Sequence, residues 1–328
     1  MQQRPLGRTG LFVGRLALGT MTWGLDTDEH EARDQLVTFL EAGGTLVDTA
    51  DVYAEGEGER VLGRLLAERA AGRDDIVVAT KAVTRRDAPR RFDASRRHLL
   101  SALDASLARL GLDHVDLWQL HAWDPLTPLE ETLAAVDAAV ASGRVRYAGV
   151  SNYAGWQLAR AGTLQSLSGH APLVSAQMEY SLLERGIERE VVPAAEALGI
   201  GLLPWSPLGR GVLTGKYRYG TPPDSRATSV HFGAFVQEYL DDTPRRIVDA
   251  VCTAADGLDA APAEVALAWV RDRPGVVAPI VGARTVAQLR TALESELLEL
   301  PEEIVEALDE VSRPALGYPE FGWNQRGR

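Results

Sequence analysis

The sequence predicts a closed (β/α)8 barrel, read as one domain over residues 1–328. Three observations carry that expectation. Eight short apolar, β-branched runs alternate with segments of helical period. No composition break, linker, low-complexity stretch or repeat beyond the βα unit divides the chain. Polar residues close successive strands, where barrels of this type place their ligand sites. Strict β-then-α alternation implies a parallel sheet, and eight such units fit a closed barrel better than a doubly wound sheet.

In chain order, Gly7-Arg8-Thr9-Gly10 reads as a hairpin turn plugging the barrel bottom. Strands are expected to begin near Leu16, Thr45, Ile76, Val115, Val145, Val174, Gly201 and Val276. Amphipathic helices are expected over 29–42, 59–71, 93–110, 129–142, 155–167 and 188–198. The widest gap, 205–276, is where an extra loop over the ligand face fits, and Gly220-Thr221-Pro222-Pro223 within it reads as irregular chain.

Composition bounds the function. A net charge of −12 and a pI near 5.1 argue against nucleic acid or an anionic membrane as partner. The single cysteine, Cys252, allows no internal disulfide. With no apolar run of membrane-spanning length and no apolar leader after Met1, the expected location is the cytoplasm. The basic residues are 32 Arg and only two Lys, Lys81 and Lys216; Asn is confined to Asn152 and Asn324. A Lys or Asn surviving such a skew marks a position where Arg or Asp would not serve.

Asp48 closes the second strand, Lys81 the third, His121 the fourth, Ser151-Asn152 the fifth, Gln177 the sixth and Trp205-Ser206 the seventh. Neighbouring strand ends converge on one pocket, and Tyr53, five residues beyond Asp48, can fold back over it. These residue types suit hydride transfer to a carbonyl, in which charge builds on oxygen and a proton must be delivered. Free tyrosine titrates near 10 and is a poor acid; a buried ammonium stabilises its anion, and a carboxylate holds that ammonium in place. Lys81 and Asp48 suit those roles, and the His121 imidazole can orient the carbonyl oxygen. Taken singly, each has an ordinary explanation: a helix cap for Asp48, rim positions for Lys81 and His121, a core aromatic for Tyr53. Together, at successive strand ends, they read as a site.

Asp48-Thr49-Ala50-Asp51-Val52-Tyr53, with Thr80-Lys81 and His121, resembles the aldo-keto reductase superfamily, in its bacterial branch similar to potassium-channel β subunits. The resemblance runs through nearly the whole chain: Leu6 to Gly10, Leu18-Gly19-Thr20-Met21, Asp124-Pro125, Thr127-Pro128, Gly149-Val150-Ser151-Asn152, Trp205-Ser206-Pro207-Leu208, Gly215-Lys216-Tyr217, Ser225-Arg226 and Gly282-Ala283-Arg284-Thr285. It implies NADPH-dependent reduction of an aldehyde or ketone, with Tyr53 as general acid, Asp48 and Lys81 tuning it, and His121 placing the carbonyl. It implies that Ser151, Asn152 and Gln177 bond the nicotinamide carboxamide and that Trp205 stacks on the ring. Ser206, Pro207, Leu208 and Gly209, with Lys216 and Arg226, would clasp the pyrophosphate; Thr20, Met21, Asp48 and Gly282 would also touch the cofactor. Arg284 would meet the 2′-phosphate, which a planar guanidinium suits. Gln288 would face the adenosine, where Thr291-Ala292 stand in place of the family's common Glu-Asn.

The resemblance also allows a cofactor-binding regulatory subunit, but channel β subunits typically carry Asn in place of His121 and Arg in place of Asn152. A Schiff-base aldolase with Lys81 as nucleophile is a third class on this fold. No Rossmann fingerprint is present, since Gly56-Glu57-Gly58-Glu59 sets glutamates where a pyrophosphate would sit; it reads as a loop starting a helix. His30, His98, His114, His170 and His231 lack metal-ligand spacing, so no metal is expected. Trp23 and Trp123, with Phe321 or Trp323 of the tail, are the candidates for an aromatic wall around a small carbonyl substrate, and a homo-oligomer is compatible with the sequence.

Overall fold

The protein is described by a computed structural model covering residues 1–68, 73–85, 88–223, 225–240, 242–315 and 317. Phe321 and Trp323 lie outside the described residues.

The chain opens with an antiparallel hairpin, β1 (Gln3–Pro5) and β2 (Phe12–Gly14), paired Gln3 to Gly14. Its turn reaches the starts of the barrel strands: Arg8 N–H donates to Gly199 O at 2.9 Å. Gly7, at φ +60°, comes so close that a Cβ would stand 2.7 Å from the carbonyl oxygens of Gly199 and Val174, which only glycine accommodates. Leu6 and Val13 are fully buried and pack with Leu46, Leu117, Val174 and Leu203 inside the barrel, closing its bottom as expected.

Eight parallel strands follow: β3 (Ala17–Gly19), β4 (Leu46–Asp48), β5 (Val77–Ala82), β6 (Val115–Leu120), β7 (Val145–Ser151), β8 (Leu173–Glu179), β9 (Gly201–Trp205) and β10 (Ile280–Gly282). They pair in the order β10-β3-β4-β5-β6-β7-β8-β9. Seven begin within a residue of the expected position. The eighth is a correction. The apolar run at Val276 is interrupted by Pro279, which has no N–H to give a ladder. On this side of the proline the chain meets β9 at Leu202, whose N–H donates to Gly275 O and whose O accepts from Val277 N–H, both at 2.9 Å. The strand proper starts at Ile280 and pairs Ala17 of β3. The barrel thus closes by two short contacts either side of a proline.

Helices α1 (Glu29–Glu41), α2 (Glu57–Glu68), α3 (Arg96–Leu110), α4 (Leu129–Ala141), α5 (Gly155–Leu167) and α6 (Val191–Leu198) lie where amphipathic period placed them. Caps set their starts: Asp28 accepts from Glu31 N–H and Ser95 from His98 N–H. The gap after β9 differs from the loop expected there. It holds α7 (Gly233–Gln237), α8 (Asp242–Leu258) and α9 (Pro262–Arg271), followed after β10 by α10 (Val286–Glu294) and α11 (Glu302–Val311). Ile247, Val248, Val251, Cys252 and Ala255 form the buried stripe of α8, and a proline opens α9 at a position where its missing N–H costs nothing. Among the described residues no helix is long and apolar enough to cross a membrane.

Candidate active site at the carboxyl ends of the strands

The parallel register delivers the strand-end residues to one mouth: Asp48 pairs Ala79, Lys81 pairs Gln119, and Ser151 pairs Gln177. Asp48, Ser151 and Gln177 line the floor of a cavity of about 1120 Å³ at the carboxyl ends of the strands, and Lys81 and Gln119 are fully buried behind them. Lys81, fully buried, donates from Nζ to Asp48 Oδ2 at 2.6 Å, to Thr49 O at 2.8 Å and to Tyr53 Oη at 3.4 Å. The second carboxylate oxygen of Asp48 accepts from Gln177 Nε2 at 2.8 Å and Gln119 Nε2 at 3.4 Å. Tyr53 opens a short turn, Tyr53–Gly56, in which Ala54, Glu55 and Gly56 all take positive φ; this sharp reversal folds the phenol back over Lys81. His121 faces it, the two rings edge to face at 6.1 Å.

Burial sets the protonation of this group. It lifts the Tyr53 phenol above its ordinary value of 10, and the Lys81 charge opposes that lift without cancelling it. The expected lowering of the phenol is thus present as a component and loses to desolvation. Burial alone would pull the Lys81 ammonium down, but Asp48 and Tyr53 more than compensate, leaving it above 10.5.

Behind the turn lies a second charged group. Glu59, fully buried on α2, accepts from Arg109 Nε and Thr80 Oγ1, both at 2.6 Å. Asp51 is pushed up to about 7 by burial and by Glu59, against the pull of Arg109 and Lys81. The Glu57-to-Glu59 segment is the start of a helix, as expected, with Glu59 facing inward.

Around the mouth, Asn152 bridges β6 and β9: Nδ2 donates to His121 O at 2.9 Å, and Oδ1 accepts from Trp205 Nε1 at 3.0 Å. Asn152 and Ser206 take φ of +57° and +52°, the left-handed region that Asn tolerates best among side-chain-bearing residues. Ser151 Oγ is buried in the cavity wall and has no hydrogen-bond partner among the described residues. Lys216, Arg226 and Arg284 meet on the β9–β10 side of the cavity. Arg226 forms no ion pair among the described residues, and burial followed by the nearness of Arg284 lowers its pKa.

Met21, Pro207, Leu208, Gly282 and Gln288 line the same cavity, as do Thr291 and Ala292. Other expected contacts do not. Trp23 is wholly buried beneath α1 with its indole N–H on Gln35 Oε1 at 3.1 Å, so it is core rather than a substrate wall. Trp123 packs edge-on against Tyr153 and Trp156, away from the lining residues. Thr20 is buried, donating to Asp48 O at 3.1 Å, and neither it nor Gly209 is among the lining residues.

Sequence reasoning missed Arg210, Phe235, Arg85 and Arg91. Arg210 grips Glu179 bidentately at 2.9 Å, Glu238 at 2.7 Å and the Phe235 ring at 3.8 Å, and Phe235 stacks on Trp205. That strap fastens the segment after β9 to the end of β8. Among the described residues no cluster of His, Cys, Asp or Glu is arranged to hold a metal ion.

A buried hydroxyl without a partner, a carboxamide platform beside an indole, and a cation cluster opposite the Tyr53–Lys81–Asp48 floor fit a group that is polar at one end and polyanionic at the other. A dinucleotide has that character. The description "Aldo/keto reductase family" matches the chain over residues 15–313. The chain is 38% identical over 327 residues to an uncharacterised oxidoreductase, YrpG, of Bacillus subtilis, covering 95% of this chain and 96% of the relative. It is 35% identical over 292 residues to a probable voltage-gated potassium channel subunit beta of Oryza sativa, covering 88% and 89%. It is 30% identical over 348 residues to the versiconal hemiacetal acetate reductase of Aspergillus parasiticus, covering 97% and 99%.

Proposed function

This chain belongs to the aldo/keto reductase family, and from that premise we propose that it catalyses the NADPH-dependent reduction of an aldehyde or ketone to an alcohol, with Tyr53 as general acid. The observation that carries the reading is the buried Lys81 Nζ set between Asp48 Oδ2 and Tyr53 Oη, two residues that line the cavity.

When bound, the reduced nicotinamide supplies the hydride. The chain's residues handle the proton and the positions. Tyr53 stays protonated through the neutral range because burial raises it, so the phenol is ready to donate to a carbonyl oxygen as charge builds there. The tyrosinate left behind faces the Lys81 ammonium, kept charged by Asp48, whose carboxylate Gln177 and Gln119 keep aligned. His121, across from the phenol, orients the same oxygen. Ser151 and Asn152 would hold the carboxamide and Trp205 the ring face. Lys216 and Arg226 would hold the pyrophosphate and Arg284 the 2′-phosphate, which favours NADPH over NADH. A cytoplasmic location, where that reductant is available, fits this role.

The channel-subunit relatives support a second reading, a nicotinamide-binding regulatory subunit. His121 and Asn152 favour turnover. A Schiff-base aldolase suits this site poorly, because a lysine held charged above its ordinary pKa is a poor nucleophile.

The test combines fluorescence titration of NADPH and NADH with turnover of an aldehyde and ketone panel by wild type and Tyr53→Phe. The variant should bind NADPH normally and lose about 10²–10⁴-fold in kcat. Wild-type turnover by Tyr53→Phe would remove the assigned acid, and equal affinity for NADH would remove the role of Arg284.

A further inference from the structure

Asp48 is the one carboxylate among the described residues that line the cavity, and Lys81 neutralises it. Against it stand six cations in the wall of a protein whose net charge is −12. Arg210 is tied to Glu179 and Glu238. Lys216, Arg226 and Arg284 follow β9 and β10 and belong to the dinucleotide side. Arg85 and Arg91 remain, and they sit elsewhere. They follow β5, which the strand order places four positions around the barrel from β9, between the strands that deliver Tyr53 and His121.

Both are carried on a small arm. Thr84 and Phe92 bridge antiparallel, Arg85 N–H donates to Arg91 O at 2.7 Å, and Asp93 N–H donates to Val83 O at 2.9 Å. Arg90 bolts the arm to the loop after β6 through Asp124 Oδ2 and Thr127 Oγ1, each at 2.5 Å. At its base the buried Val83 holds φ +111°, a conformation a β-branched residue adopts only when its surroundings dictate it, and one that clusters at functional sites. Arg85 is paired with Asp93 at 3.3 Å. Arg91 forms no ion pair among the described residues; its guanidinium lies 5.3 Å from the centre of the Phe92 ring. The arm therefore presents, to the cavity that Tyr53 and His121 also line, one guanidinium without an ion pair among the described residues, backed by a compensated one.

We infer that Arg91, assisted by Arg85, forms an anion subsite and that the carbonyl substrate carries a carboxylate remote from the reacting group. This rests on the reductase reading. One uncompensated positive charge matches a monoanion, a planar guanidinium takes a carboxylate through two parallel bonds, and the aromatic face of Phe92 beside it suits an apolar spacer.

The experiment compares 3- and 4-carboxybenzaldehyde with their neutral methyl esters as substrates with NADPH, for wild type, Arg91→Gln and Arg91→Lys. In wild type at least one acid should exceed its ester in kcat/KM by tenfold or more, the difference lying in KM. Arg91→Gln should bring that acid-to-ester ratio to near one, and Arg91→Lys should restore part of it. Equal wild-type efficiency with acids and esters, or a ratio that survives Arg91→Gln, overturns the subsite and leaves the reductase reading standing. Reduction of none of the four aldehydes overturns the reductase reading and the subsite with it.

Discussion

The two sides of the barrel mouth solve opposite electrostatic problems. Below the arm that carries Arg91, charge on the β4–β6 side is buried and matched: Lys81 meets Asp48, Asp48 meets two glutamine amides, and Glu59 meets Arg109. On the β9–β10 side Lys216, Arg226 and Arg284 line the cavity, and the half-buried Arg226 forms no ion pair among the described residues. On the proposed reading, the floor of the first side is complete as folded and holds a proton donor ready. On the same reading, the second carries its charge in a form that an arriving polyanion would complete. Folding would then build the chemistry, and ligand binding would finish the holder.

Breaking the matched side should have the largest effect. Lys81→Met leaves Asp48 as a buried, uncompensated charge. Urea unfolding should show a loss of about 3–5 kcal/mol, and turnover should fall by about 10³-fold or more. Breaking the unmatched side should do the reverse. Arg226→Met should leave the stability of the ligand-free protein unchanged or raised, while calorimetric titration shows NADPH binding weakened about tenfold, or about 1.4 kcal/mol.

Asp51 sharpens the contrast, as the one carboxyl on the matched side that lacks a full complement of partners. The residue as a whole is half-buried, but its Oδ1 is shut off from solvent and has no hydrogen-bond partner among the described residues. Its folded pKa of about 7 lies above the ordinary 3.8. The stability linked to this group is complete below pH 4 and is lost as pH rises through 7. Asp51→Asn should gain on wild type over that window, by roughly 1–3 kcal/mol at pH 8, and thermal melts from pH 5 to 8 measure it. A constant difference across that range would show that Asp51 does not titrate there. The smallest effect is expected outside the mouth. Trp23→Phe should cost about 1–2 kcal/mol through the lost bond to Gln35 and leave kcat/KM unchanged, since Trp23 does not line the cavity.

What could be read before folding follows from the range of each interaction. Strand-end polar residues were legible because a parallel register fixes where they go, and the scarcity of lysine singled out Lys81 and Lys216. Trp23 misled because an aromatic near a motif can point either way, and only packing under α1 decides. The last strand was displaced because Pro279 divides one apolar run between two partners. Helices α8 and α9 were legible in principle, from the stripe of Ile247, Val248, Val251 and Cys252 and from the proline at 262, but length alone suggested a loop. Arg85, Arg91, Arg210 and Phe235 gave no local signal. Arg210 takes its place from contacts at long sequence separation, with Glu179 and Glu238, and the arm carrying Arg85 and Arg91 is set by Arg90 bonding Asp124.

The divided closure of the barrel has a consequence for how the molecule breathes. Every other neighbouring pair of strands shares a ladder, whereas β9 meets the segment before β10 through the single bridge Leu202–Val276, and β10, beyond Pro279, pairs β3 from Ile280 and Ala17 onward. Amides along this seam should exchange with solvent at lower opening free energy than those of β5 and β6. The segments that leave β9 and β10 are the ones carrying Lys216, Arg226 and Arg284. A polyanion held by residues from both would act as a staple across the seam, slowing exchange there first and turning the weakest join of the cylinder into a gauge of occupancy.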